Sequence, residues 1–208
     1  MPLIRKDSPP PPIAMPADGE DRARLLREGS VQDRWAAARS LGETALGVSA
    51  LAAALAVEQD AQVREAIFTS LAAAGTPESC GALVASLRSN DPALRTGALD
   101  ALGAMTAART IISGLLCDAD PDVRLLSCEI TRSLPAGEAQ ALLCNLLDTE
   151  TEPNVCAAAV EVLAELGDEQ AAPYLQRCAE RFAHEPFLTF AIRQARQRFE
   201  RAGGEADD

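Results

Sequence analysis

The sequence predicts an all-α chain, an α-solenoid of about six helical hairpins and about twelve helices. Three observations carry that expectation. A unit of roughly thirty residues recurs along the chain, each unit reads as two short amphipathic helices, and alanine, the best helix former, supplies 41 of 208 residues. Strand signals, meaning β-branched runs and period-two alternation, are absent from the sequence.

The repeat is anchored on Arg34, Arg64, Arg95 and Arg124, which stand 30, 31 and 29 residues apart. Asp60, Asp91 and Asp120 lie four positions before three of these anchors, and Pro92 and Pro121 follow two of those aspartates. Val63, Leu94 and Val123 directly precede the same anchors. The pattern returns with other anchor residues in Glu152-Pro153-Asn154-Val155-Cys156, 32 further on, and in Glu185-Pro186-Phe187-Leu188-Thr189, another 33 on. Seven residues after the anchor come Leu41, Leu71, Leu102 and Leu163; Thr131 and Arg196 break that rule.

In chain order, six of the 13 prolines fall in the first 16 residues, so residues 1–19 are expected as a disordered, polyproline-like arm. Helices are then expected at 20–28 and 30–41, 43–57 and 60–74, 77–88 and 91–104, 106–117 and 120–134, 136–148 and 152–166, and 168–182 and 185–201. The first of these, with Leu25 and Leu26, is short and forms a partial cap. Thr76-Pro77-Glu78 starts a first helix whose apolar stripe is Leu83, Val84 and Leu87. Asp91-Pro92 starts a second helix: the carboxylate caps orphan N–H groups, and proline sits where its missing N–H costs nothing. Leu94, Ala98, Leu102 and Met105 follow at helical spacing. One hairpin cannot bury its apolar side alone, so neighbours must stack, with residues 20–201 as one solenoid domain and 202–208 as an acidic tail.

Composition excludes several functions. Lys plus Arg is 19 and Asp plus Glu is 31, so the net charge of −12 argues against nucleic-acid binding. No apolar run is long enough to span a bilayer. Cys80, Cys117, Cys128, Cys144, Cys156 and Cys178 lie 11 to 37 residues apart with no C-x-x-C pair, and no secretory leader pattern opens the sequence. These features lead to the expectation of a cytoplasmic protein whose reduced thiols pack as small hydrophobes, with Cys144 and Cys178 the best candidates for a redox pair. The single histidine, His184, is expected in the last interhelical turn. No catalytic, cofactor or metal site is expected.

Two pieces carry a family resemblance: Asp120-Pro121-Asp122-Val123-Arg124, and Leu163-Ala164-Glu165-Leu166-Gly167-Asp168-Glu169-Gln170-Ala171, with Leu41-Gly42 and Leu102-Gly103 as similar fragments. Over about residues 20–200 the chain resembles the armadillo-like HEAT repeats, in the short bacterial form related to phycobilisome-lyase repeats. The resemblance implies a right-handed superhelix whose second helices line the concave side. It also implies an internal ladder of the repeated Asp60, Asp91 and Asp120 with Arg34, Arg64, Arg95 and Arg124, broken where Cys156 and Thr189 replace arginine. HEAT-type di-iron hydroxylases carry repeated His-Glu pairs, and this sequence has one, His184-Glu185. HEAT-like DNA glycosylases carry a basic groove, which a chain with the single lysine Lys6 does not match.

Counting 100° per residue from the core positions places Trp35, Arg39, Glu65, Asp100, Leu125, Glu129, Glu161 and Phe190 on the outward side of the second helices. These are the candidate partner-binding residues: an acidic concave groove with a few apolar anchors, suited to a basic or amphipathic segment of another protein. The expected function is a non-catalytic scaffold or adaptor, monomeric, in a bacterial signalling or assembly complex; arginine far outnumbering lysine fits a GC-rich bacterial genome. The alternative is a phycobilin lyase/isomerase-like subunit acting on a bilin-protein. Against it, five Phe, one Trp and one Tyr leave little to line a tetrapyrrole pocket.

Overall fold

A computed structural model describes the backbone of residues 15–206 and the side chains of residues 15–201. The described residues form twelve α-helices and no strand, an all-α solenoid of helical hairpins. The helices are α1 (Gly19–Glu28), α2 (Val31–Ser40), α3 (Ala45–Leu55), α4 (Ala61–Ala74), α5 (Pro77–Leu87), α6 (Pro92–Ala104), α7 (Ile112–Leu115), α8 (Pro121–Ile130), α9 (Ala136–Thr149), α10 (Pro153–Leu166), α11 (Ala172–Arg181) and α12 (Pro186–Ala206). Most of the proline-rich arm, residues 1–14, lies outside the described residues. Residues 15–18, expected as part of that arm, are held in place. The Arg22 guanidinium donates to the carbonyls of Pro16 at 2.7 Å and Ala17 at 2.9 Å, and Asp18 caps α1.

The capping residues read from the sequence act as expected. Asp91 and Asp120 accept from the N–H groups of Ala93 at 2.9 Å and Asp122 at 3.0 Å, each with proline opening the helix behind it. Thr76 and Ser79 form a reciprocal capping box, as do Ser30 and Asp33. The leucines seven residues after the anchors, Leu41, Leu71, Leu102 and Leu163, are all buried.

Contacts group the chain into two compact units, Met1–Ser70 and Leu71–Asp208. In the first, α1 packs on both α2 and α3. Here Gly47 is required by close approach: a Cβ at this position would lie 1.7 Å from the Leu41 carbonyl oxygen. In the second unit the second helices form one layer, with α6 on α8, α8 on α10 and α10 on α12, while α9 and α11 pack in the layer of first helices. Gly75, the turn residue before α5, takes φ +60, a conformation that favours glycine.

Three elements depart from expectation. Residues 106–117 form a short 3-10 turn, Thr106–Thr110, followed by only one turn of α-helix, because Thr110, Ile111 and Ile112 are β-branched and Gly114 follows. The second helix expected to run to 134 stops at Ile130. Thr131 and Ser133 donate their hydroxyls to the carbonyls of Cys128 at 2.6 Å and Ile130 at 2.8 Å, tightening the chain into a 3-10 turn ahead of Pro135. At the other end α12 runs on through Ala206 rather than stopping at 201, since no proline interrupts it.

Candidate interaction face and the arginine ladder

Each anchor arginine folds back onto the turn before its own helix. Arg64 Nε donates to the Glu58 carbonyl at 2.7 Å, Arg95 Nη1 to the Ser89 carbonyl at 2.7 Å, and Arg124 Nη1 to the Asp118 carbonyl at 2.7 Å; Arg34 Nη1 reaches the Gly29 carbonyl at 3.0 Å. Arg34 and Arg124 also reach forward to the next hairpin. Arg34 binds Glu58 through Nε at 2.7 Å and Nη2 at 3.0 Å, and Arg124 binds Glu150 through Nε at 2.7 Å and Nη2 at 2.9 Å. The ladder partners of these two arginines are therefore glutamates, not the repeated aspartates. Asp60, Asp91 and Asp120 each accept a backbone N–H of their own helix through one side-chain oxygen.

Glu58 and Glu150 do double duty. Glu58 Oε1 accepts from the N–H groups of Gln59 and Asp60, both at 2.9 Å; Glu150 Oε1 accepts from Thr151 at 2.8 Å and Glu152 at 2.9 Å. The Arg34 hydrogen bonds hold the Glu58 carboxyl down to about 2. Burial pushes Glu150 up, yet the Arg124 hydrogen bonds and the two backbone N–H groups outweigh it and leave its pKa lowered. A signal for both glutamates is present in the sequence. An acceptor stands two residues before each cap position: Glu58 before Asp60, Ser89 before Asp91, Asp118 before Asp120 and Glu150 before Glu152.

The C-terminal hairpins are joined differently. Cys156 replaces the anchor arginine and is fully buried. Arg177 and Arg181 of α11 take over the linkage, Arg177 by a bidentate pair with Asp148 at 2.7 and 3.0 Å, Arg181 by donating to the carbonyls of Leu147 and Asp148. Five cysteines are buried and Cys117 is exposed. Burial pushes the Cys128 thiol up to about 12 and the Cys144 thiol up to about 11. The Cys178 thiol interacts electrostatically with Cys156. The neighbouring Cys178 and burial raise the Cys156 pKa, so the thiol stays protonated. His184 is exposed in the turn between α11 and α12.

The eight candidate partner-binding residues divide between the two units. In the first, Trp35 is 39% exposed with the Arg39 guanidinium stacked 4.8 Å from its ring centre, and Glu65 is exposed on α4. In the second, Asp100 on α6 and Glu161 on α10 are exposed, Leu125 and Glu129 on α8 are half-buried, and Phe190 on α12 is 54% exposed. The sequence reading passed over Phe187, which is 76% exposed one turn before Phe190. It also missed that Arg132 clamps two carboxylates, Glu129 at 2.7 Å and Glu165 of the next second helix. Arg198 donates to the Ala164 carbonyl at 3.4 Å, which turns the exposed stripe Phe187, Phe190, Gln194 and Arg198 toward the α10 side of α12.

The family comparison agrees with this architecture. A search of curated proteins finds no match. Solved structures with similar folds include an engineered protein (19% identity, 88% of this chain and 96% of that one, TM-score 0.42). A designed armadillo repeat protein aligns at 16% identity over 88% of this chain and 100% of that one, TM-score 0.41. The complex of CpcE and CpcF of phycocyanin lyase from Nostoc sp. PCC7120 aligns at 20% identity over 85% of this chain and 74% of that one, TM-score 0.44. No described helix is long and apolar enough to cross a membrane. The family model for HEAT repeats matches residues 22–103 and 108–186, the same segments in which the capped hairpins and buried leucines recur, so the chain belongs to the HEAT-repeat family.

Proposed function

We propose that the protein is a non-catalytic interaction scaffold, of bacterial origin, that uses the outward side of its second helices as an acidic concave groove for a basic or amphipathic segment of another protein. A HEAT-repeat scaffold supports a protein-interaction role. The observation that carries the finer reading is a repeated position. Asp100, Glu129 and Glu161 stand five residues after the anchor in three successive second helices, beside the exposed Phe187 and Phe190. Carboxylates set out in this way attract a basic segment, and exposed aromatics give it an apolar foothold. Trp35 with its stacked Arg39, and Glu65, supply similar chemistry in the first unit.

Charge reversal tests the reading. Asp100→Arg, Glu129→Arg and Glu161→Arg together lower capture of the native partner from its host at least about tenfold, and capture by the parent falls with added salt. Circular dichroism stays unchanged, because the three side chains are exposed or half-buried. Undiminished capture discards the groove. Mixing with free bilin leaves the visible spectrum of the pigment unshifted; a shifted spectrum favours the lyase alternative.

A further inference from the structure

The layer of second helices between residues 71 and 208 has a repeat distance as well as a chemistry. Helices packed side by side lie about 9 Å apart, so a position repeated once per second helix recurs about every 9 Å across the layer. A polyproline-II segment rises about 3.1 Å per residue and completes a turn in three residues, so every third side chain returns to the same side after about 9.3 Å. An α-helix laid in the same direction needs about six residues for that step, and six residues turn it through about 600°, which swings the next side chain well away from the row. Seven residues bring a helical side chain back to the same side but rise about 10.5 Å, so the extended segment matches the step of about 9 Å more closely.

The charges along the row are not equivalent. Among the described residues neither Asp100 nor Glu161 has an ion-pair partner, whereas Glu129 between them is already held by Arg132 at 2.7 Å. The unpaired carboxylates are two helix steps apart, which corresponds to six residues of an extended chain. Phe187 and Phe190 lie beyond Glu161, on the α12 side of α10. Leu125 and Phe190 share the position directly after the anchor and so form an apolar row beside the acidic one.

We infer that the occupant of this face is an extended, polyproline-II-type peptide segment of a partner protein, with Arg or Lys at positions i and i+6 over Asp100 and Glu161 and an apolar residue on Phe187 and Phe190. Charge complementarity selects the basic residues, and the match of periods selects the conformation. The inference rests on the interaction reading above and adds to it the shape and spacing of the ligand. Proline is compatible at the intervening positions, because the segment makes its contacts through side chains.

Three synthetic peptides separate the two levels, measured by fluorescence anisotropy with the full chain at low and moderate salt. The first carries Arg at i, i+3 and i+6 with proline between and a terminal Phe. The second has the same arginines and Phe at helical spacing, i, i+4 and i+7, in an alanine-rich background. The third keeps the first composition with the arginines clustered. The first binds at least tenfold tighter than the other two, and Asp100→Lys or Glu161→Lys in the protein lowers its affinity at least tenfold with an unchanged melting temperature. If the helical peptide binds as well or better, the extended conformation is wrong and the interaction face stands. Equal binding of the clustered peptide removes the spacing. If no peptide binds, both readings fall.

Discussion

Arg124 and Glu150 face each other across 26 residues of sequence and meet through two parallel hydrogen bonds of 2.7 and 2.9 Å. The glutamate's side chain is almost wholly buried, and one of its oxygens also ties down two backbone N–H groups of the next turn. A single carboxylate thus closes the turn after α9 and joins it to α8. Removing one partner of such a pair leaves the other buried and unpaired, a cost of about 3 kcal/mol or more. Glu150→Ala should therefore destabilise the chain by about that amount in urea unfolding. Arg124→Lys should recover little, since an ammonium cannot form the paired fork. Full rescue by lysine would reduce the pair to a simple charge contact.

Glu58 gives the same arrangement a pH dependence. Its carboxyl ordinarily titrates near 4.5 and is held down to about 2 in the folded chain, so the unfolded state takes up the proton first. The stabilisation is complete above about 4.5 and drains away as the pH falls toward 2. Thermal melts from pH 6 down to pH 2 should show a steep loss across that window. Glu58→Gln should be less stable at neutral pH and flatter across it; an equally steep Gln variant places the titration elsewhere.

Gly47 offers a test in which local preference and tertiary packing oppose each other. Inside a helix, Gly→Ala normally stabilises by about 1 kcal/mol. Here the added Cβ would sit 1.7 Å from the Leu41 oxygen and 2.7 Å from its carbon, so the backbone must move. Gly47→Ala is expected to destabilise by about 1–3 kcal/mol, as overpacked sites do. A stabilised variant would show that the turn before α3 yields freely.

The aromatics of α12 should split cleanly. Phe199 is 4% exposed, and Phe199→Ala should cost about 3–5 kcal/mol. Phe187→Ser and Phe190→Ser should leave the melting temperature within about 2 °C of the parent, because surface changes away from packed features cost little. The same two substitutions should weaken partner capture. A large stability loss at either position would place that ring in the core.

Thiol labelling should report one fast cysteine. Cys117 is exposed and the other five are buried, with Cys128, Cys144 and Cys156 all pushed toward the unreactive protonated form. A disulfide-exchange reagent should label one thiol in the native chain and six after denaturation. Cys117→Ser should abolish the native phase.

The helical hairpins were legible in the sequence because their signals are local. Asp91-Pro92 and Thr76-Pro77 announce helix starts within three residues, and the spaced leucines need only helical periodicity. The glutamate partners of the ladder were harder to see. Their meaning depends on a contact some 24 to 26 residues away, and the nearby aspartates of the cap positions presented a more obvious repeat. The collapse of 106–117 into a 3-10 turn arises from three β-branched residues and a glycine, whose combined effect a repeat pattern conceals. On the interaction face, helix phase brought out Leu125 and Phe190. It could not reveal the Glu129–Arg132–Glu165 clamp, which joins two hairpins through side-chain reach.

At Arg34 and Arg124 the anchor arginine is matched to a glutamate two residues before the following cap, and at the last junction neither is present: Cys156 stands at one position and Ala183 at the other. Hairpins of this chain are consequently not interchangeable bricks. Excising residues 136–166 would bring Arg124 against a turn that offers alanine where it had a glutamate, stranding a guanidinium. Growth or shortening of such an array must proceed by exchanging matched seams, so a natural recombination joint is better placed inside a hairpin than between two.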